Sequence, residues 1–300
     1  MAKPQIDWRG SFAVIVTPFT ADGAIDEPAY REIIDFVIGE GSHGLIAAGS
    51  TGEFFLMSRA ERKRVFEIAV DQTAGRVPVL ACPAATRTVD VIDYTRHAAQ
   101  VGCVGTLVLP PIYINNDERE TAEFFRRVGG EGGLPIMLYN SPRYVNTTLT
   151  PGLVKQLLEI DEVVAIKDTS FDLYNASDLM RACGPELKLF IGLEDLYVPA
   201  LAIGAVGSVA MMPQIVGAMA IELYETARAG KREEALALHY RMARLYDIFK
   251  VGSGYIAIKE AMKLMGRPAG HSRPPMLPFT DQQRDQLRAI LQDAGVLATA

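Results

Sequence analysis

The sequence predicts a (β/α)8 barrel followed by a C-terminal helical bundle. Eight apolar runs of strand length recur along the chain, and they are continuous rather than alternating, as strands covered on both faces require. Helical stretches with recognisable start signals stand between them, and parallel neighbours need a crossover of that length. Eight such units fill about 210 residues, the size of a closed barrel. An open doubly wound sheet shares the alternation, but its usual GxGxxG fingerprint after the first strand is missing, and "VTPFTADG" stands there instead.

In chain order the strands are "FAVIVTPF", "HGLIAAGS", "VPVLACPA", "GTLVLPP", "LPIMLYN", "VVAIKDT", "LKLFIG" and "GSVAMM". Helix starts are marked by Asp26 before Glu27-Pro28, by Ser58 with Glu61 three residues on, and by Thr150 before Pro151. After the eighth strand the pattern is helical only, through "AIELYETARAG", "KREEALALHYRMARLYDIFKVG", "GYIAIKEAMKLMG" and "TDQQRDQLRAILQDAG". Residues 1–225 are therefore read as the barrel carrying the active site and 226–300 as a helical extension.

The 300 residues are 49% hydrophobic and 22% charged, with mean hydropathy +0.12, enough apolar material for a large core and incompatible with disorder of the whole. A net charge of -6 and dispersed cations argue against a nucleic-acid footprint. The longest basic cluster, Arg62-Lys63-Arg64, falls on a helix and reads as a solvated face. Cys82, Cys103 and Cys183 are odd in number and far apart, which fits a reducing cytoplasm and suggests neither disulfides nor a CxxC site. The opening "MAKPQIDWRG" is polar, and no later run is long and apolar enough to span a membrane, so a soluble cytoplasmic protein is expected.

Reactive groups of such a barrel sit where strands run into their following loops. There the chain offers "GSTGE" (49–53) after strand two, Tyr113 after strand four, Tyr139-Asn140 ending strand five and Lys167 ending strand six. If Lys167 faces the barrel mouth, Ile166 and Asp168 face the helices, so the adjacent carboxylate does not neutralise it. An apolar wall disfavours the ammonium, and a neutral amine attacks a carbonyl to form a Schiff base. Tyr139, one strand earlier at corresponding depth, is a carrier for the protons that dehydration requires. The Gly-flanked Ser50-Thr51 pair supplies hydroxyls and backbone N–H groups to a carboxylate. Taken singly, each feature also fits an ordinary structural role: a snorkelling lysine, a core tyrosine, a tight turn.

Two further charged residues read as structural. Lys259, beside Glu260 and four residues before Lys263, looks solvated or packed in the tail, and Glu53 looks turned toward the start of the next helix. His43, His97, His239 and His271 show no metal-ligand spacing, so no metal is expected. "GAVGSVA" would suit a phosphate loop near strand eight, although its glycines also serve strand packing and a turn.

With "VTPF" (16–19), "GSTGE" (49–53), "LYNSP" (138–142) and "AIKDTS" (165–170) in this order, nearly the whole chain resembles the dihydrodipicolinate synthase and N-acetylneuraminate lyase family of class I lyases. The resemblance implies that Lys167 forms a Schiff base with a pyruvate-like 2-oxo acid and that Tyr139 is general acid and base. It makes Thr51 a proton relay, gives the substrate carboxylate to Ser50 and Thr51, and makes Tyr113 the aromatic lent to a neighbouring subunit. It further implies a homotetramer, built as a dimer of dimers, with no cofactor beyond the covalent imine. Two departures stand out: Tyr144 occupies the place of the arginine that binds the synthase's second substrate, and Asn146 that of a glycine. On the neuraminate lyase side, Asp195 or Glu194 matches the acidic sugar-tail contact, whereas "SVAMM" (208–212) lacks that branch's serine. Val209, Tyr144 and Asp195 complete the expected substrate contacts. The expected activity is that of a catabolic aldolase, dehydratase or deaminase. An authentic 4-hydroxy-tetrahydrodipicolinate synthase, an N-acetylneuraminate lyase and a non-catalytic 2-oxo-acid-binding barrel are the alternatives.

Overall fold

The structure, a computed structural model, describes residue 4 and residues 6–298. Its strands are β1 (Gly10–Val14), β2 (Gly44–Ala47), β3 (Val79–Ala81), β4 (Gly105–Val108), β5 (Ile136–Asn140), β6 (Val163–Asp168), β7 (Lys188–Ile191) and β8 (Gly207–Ala210). They pair in parallel in chain order, and β8 closes on β1, so the barrel has no free edge. All eight expected runs supply the strands.

Seven helices bridge the strands on the outside: α1 (Glu27–Gly39), α2 (Arg59–Thr73), α3 (Thr88–Val101), α4 (Glu118–Gly132), α5 (Pro151–Leu157), α6 (Leu173–Cys183) and α7 (Tyr197–Ile203). α8 (Pro213–Arg228) follows β8, and α9 (Arg232–Leu245), α10 (Gly254–Leu264) and α11 (Asp281–Asp293) form the tail. The start signals act as expected. The Asp26 carboxylate accepts from the Ala29 N–H, Ser58 and Glu61 form a reciprocal capping box, and Thr150 caps a helix with Pro151 in its first turn. Each such cap is worth about 1 kcal/mol.

Inside the barrel, large and small side chains alternate. The Phe12 and Phe190 rings meet edge to face at 5.5 Å. Gly44, in register with Phe12, leaves that ring its space, since a Cβ there would lie 2.2 Å from a ring carbon. The barrel is locked to α8 by Gln214, whose amide accepts from Val16 N–H at 2.6 Å and donates to the Val14 carbonyl at 3.0 Å. α8 is kinked at Val216, and Arg267 donates to the Gln214 and Ile215 carbonyls just before the kink.

The basic cluster on α2 departs from expectation. Lys63 and Arg64 form surface ion pairs with Asp93 and with Glu27 and Glu67, but Arg62 is buried. Its guanidinium donates to the Ala84 and Cys82 carbonyls at 2.6 and 2.7 Å and stacks on the Tyr94 ring at 4.1 Å. The planar fork satisfies carbonyls just past β3, a partner set that a linear charge count does not reveal. Among the described residues no helix is long and apolar enough to cross a membrane.

Candidate active site

Strand register sets the site. Tyr139 pairs with Lys167, Lys167 with Phe190 and Phe190 with Gly207, so these residues share one level and one face of the sheet. That face carries the barrel interior, because Gly207 is followed two residues later by Val209, which pairs with the interior Phe12. Lys167 thus points into the barrel at the C-terminal end of β6. It is only 5% exposed, and its ammonium lies 4.3 Å from the centroid of the Tyr139 ring. Among the described residues no carboxylate or carbonyl accepts from its Nζ.

Asp168 behaves as strand alternation requires. It is turned away from Lys167 and accepts from Asn140 Nδ2 at 2.8 Å, Ser170 Oγ at 2.8 Å and Asn175 Nδ2 at 3.2 Å. Burial pushes its carboxyl above the ordinary range, and these hydrogen bonds pull it partway back. The space around Lys167 depends on Gly192, just beyond β7. A Cβ at 192 would fall 2.0 Å from Thr169 Oγ1 and 3.1 Å from Lys167 Cε. A side chain there would collide with Thr169 and crowd the lysine stem.

Ser50 and Thr51 lie beyond β2, Ser50 half-buried and Thr51 buried, in a turn closed by the Glu53 N–H donating to the Ser50 carbonyl at 3.0 Å. Glu53 does not face the next helix. It is fully buried in the left-handed region (φ 57°) and pairs with Lys259 from α10. Lys259 is accordingly not solvated, although it does pack the tail against the barrel: it is 1% exposed and also donates to the Thr17 and His271 carbonyls, each at 2.8 Å.

Tyr113 projects into solvent, 85% exposed, on a left-handed backbone (φ 83°). Its carbonyl accepts from Asn146 Nδ2 at 2.8 Å, so the asparagine that stands where a glycine was expected braces the loop carrying Tyr113. Tyr144 is 63% exposed, in a turn bonded back to the Ser141 carbonyl. Arg143, one residue earlier, stacks on the Phe171 ring at 3.9 Å. The sequence reading missed Tyr255 at the start of α10. Its hydroxyl lies within electrostatic reach of Tyr144, Tyr139 and Glu53, and burial raises its pKa. It also missed Thr17, Ser141 and Thr169, whose buried hydroxyls lack a partner among the described residues. The signal that marks Ser141 and Thr169 is position, since each directly follows a strand.

Beyond β7, Glu194 and Asp195 open a 3-10 turn (Glu194–Leu196). Glu194 is held in the protein: the Tyr246 hydroxyl donates to its carboxylate at 2.5 Å and accepts from its N–H at 2.9 Å. Burial pushes Glu194 up to about 7 and Asp195 up to about 6. One buried oxygen of each carboxylate has no partner among the described residues. Val209 is fully buried in the barrel wall. Among the described residues no group of three or more His, Cys, Asp or Glu side chains is placed to hold a metal.

A closed parallel barrel with a buried lysine against a tyrosine at its C-terminal mouth defines a class of barrel enzyme, and sequence comparison narrows it. Residues 7–294 match the model of the dihydrodipicolinate synthetase family, to which the chain belongs. The lyase activity general to that family comes with membership. An uncharacterized DapA-like lyase of Rhizobium meliloti is 35% identical over 96% of both chains. The 4-hydroxy-tetrahydrodipicolinate synthase of Methanothrix thermoacetophila is 34% identical over 95% of this chain and 96% of its own. Among solved structures, YagE, a prophage protein of the dihydrodipicolinic acid synthase family from E. coli K12, crystallised with pyruvate, superposes with a TM-score of 0.94. It is 30% identical, over 97% of this chain and all of its own.

Proposed function

We propose that the protein is a Schiff-base-forming lyase acting on pyruvate or a substituted 2-oxo acid, in a catabolic aldol cleavage, dehydration or deamination. The observation that carries this reading is Lys167: a buried amine without an anionic partner among the described residues, facing a tyrosine at the mouth of a barrel whose relatives include a pyruvate complex. The Nζ lone pair adds to the 2-oxo carbon to give a carbinolamine. Tyr139, with Thr51 as relay, delivers the proton with which water leaves, and an iminium remains. A bond next to the former carbonyl carbon then breaks, its electron pair forming the enamine. If that bond is C–C, its far fragment leaves as an aldehyde while its hydroxyl proton passes to Tyr139; if it is C–H, the proton passes to Tyr139 and the enamine pair then expels hydroxide or an amine, protonated as it leaves, from the next carbon.

Ser50 and Thr51 hold the substrate carboxylate, and Val209, Tyr144 and Asp195 stand around its remainder. The exposed Tyr113, fixed by Asn146, is presented to a neighbouring subunit of a homotetramer arranged as a dimer of dimers. No cofactor enters this scheme. Tyr144 in place of an arginine argues for a second substrate without the carboxylate that the synthases bind there, although several relatives are named as synthases.

The test is intact mass after borohydride reduction in the presence of pyruvate, followed by peptide mapping. A reduced pyruvyl adduct on Lys167 is expected. Folded protein that remains unlabelled with pyruvate and with longer 2-oxo acids would instead establish a non-catalytic binding barrel.

A further inference from the structure

The Glu53–Lys259 pair lies outside the proposed chemistry yet is among the most deeply buried charge in the molecule, 0% and 1% exposed. Isolated buried pairs of this kind gain little over well-packed apolar residues, so their value lies in fixing where chain segments sit. This pair fixes four segments. Glu53 ends the turn that carries Ser50 and Thr51, and Lys259 rises from α10. The ammonium also takes the carbonyl of Thr17, just beyond β1, and that of His271, from the stretch that pairs antiparallel with Phe19. Ser272 adds a hydroxyl to Glu53 Oε1 at 3.2 Å. Arg273, next in sequence, donates to the Leu56 and Gly23 carbonyls and pairs with Glu61 on α2. The strand-two loop is therefore gripped from the C-terminal side at Glu53 and again at Leu56, where it runs into α2.

The backbone of Glu53 points the same way. A non-glycine residue at φ 57° is disfavoured unless its surroundings hold it, and here the side chain is the holding point. Two residues upstream, the Thr51 side chain has no comparable anchor among the described residues. One helical turn before Lys259, Tyr255 lies on the same face of α10 and within electrostatic reach of both Glu53 and Tyr139. The helix that sets the loop also packs Tyr255 against the Phe55 ring, two residues beyond Glu53.

We infer that Glu53 and Lys259 are positioning residues for substrate binding: their buried contact holds the Ser50-Thr51 turn in the geometry that receives the 2-oxo acid carboxylate. The inference rests on the reading of Lys167 and Ser50-Thr51 proposed above. Neither side chain touches substrate. Their loss acts through the turn, on capture of the 2-oxo acid rather than on the ability of Lys167 to form an imine.

The test compares Glu53→Gln and the double variant Glu53→Met/Lys259→Met with the parent protein, by borohydride trapping across a pyruvate titration and by thermal unfolding. Glu53→Gln is expected to raise the pyruvate concentration for half-maximal labelling roughly ten- to hundredfold, as misplaced binding groups do, with Lys167 still labelled at saturation. The double variant, with no unpaired buried charge, is expected to unfold near the parental temperature while its half-saturation stays raised. A purely structural pair would move the unfolding temperature alone, and parental half-saturation in both variants would overturn the inference. If Glu53→Gln does not fold, Glu53→Asp, which keeps the charge but retracts the carboxylate, carries the same comparison. A parent that forms no adduct would refute the reading of Lys167 and this inference together. A labelled parent with unaltered variants would refute this inference alone.

Discussion

Among the described residues two lysines are buried, one at the end of β6 and one in the middle of α10, and their surroundings differ. Lys259 is saturated: a carboxylate and two carbonyls occupy its ammonium. Burial pushes its pKa down to about 8, but the amine is held inside the tail and is not presented to the barrel mouth. Lys167 is nearly as buried, yet what faces its Nζ is the π-face of Tyr139 and the space left by Gly192. Burial alone does not mark a reactive amine. What distinguishes the two is whether oxygen acceptors already take the protons of the ammonium.

The largest effect separates the lysines directly. Lys167→Ala is expected to stay folded while losing the pyruvyl adduct and at least roughly a thousandfold in turnover, as nucleophile removal does. Lys259→Ala strands a buried carboxylate and is expected to cost about 3–5 kcal/mol of stability. Urea unfolding beside borohydride trapping reads both, and a Lys167→Ala protein that still turned over would end the distinction.

Next in size is Tyr139→Phe, which keeps the ring beside Lys167 and removes only the hydroxyl. Single-turnover imine formation should slow by about 10²–10⁴, the usual worth of a positioned acid and base, with stability little changed. Equal rates would leave the ring as packing.

A smaller effect is expected from pH. Glu194, buried against Tyr246, has a folded pKa of about 7, raised from its ordinary value of 4.5. The folded chain therefore holds a proton that the unfolded chain has released. The associated stability is fully present below the unfolded value and is lost as pH rises through about 7. Urea midpoints between pH 5 and 8 should fall with rising pH, and Glu194→Gln should flatten that slope.

Smallest is Tyr144→Ala. At this exposed turn, stability should change by less than about 0.5 kcal/mol. Pyruvate labelling of Lys167 should persist, while turnover with the full substrate changes. Loss of labelling would move Tyr144 to the 2-oxo acid end of the site.

The barrel was legible because β-strands buried on both faces leave continuous apolar runs, and because Asp26, Ser58 and Thr150 announce their helices through contacts three residues away. The register of Tyr139 with Lys167 was legible for the same reason, since consecutive parallel strands at equal depth fall side by side. The fate of charged side chains was not. Glu53 meets Lys259 only after the chain has gone once around the barrel, whereas the pattern near Lys259 shows Glu260 and Lys263, which do form a local pair. Arg62 was hidden likewise, because its acceptors are backbone carbonyls, which every sequence possesses and none displays.

The grip of Lys259 and Arg273 on the strand-two loop sets an order of events during synthesis. Residues 50–53 leave the ribosome long before residue 259, and at ordinary elongation speeds of about 5–20 residues per second the loop waits for its anchor for roughly ten seconds or more. Only after β8 (Gly207–Ala210) is made does a nascent barrel have all its strands, and it still lacks the anchor from α10. Segments made after all eight strands are what anchor the turn that follows the second strand.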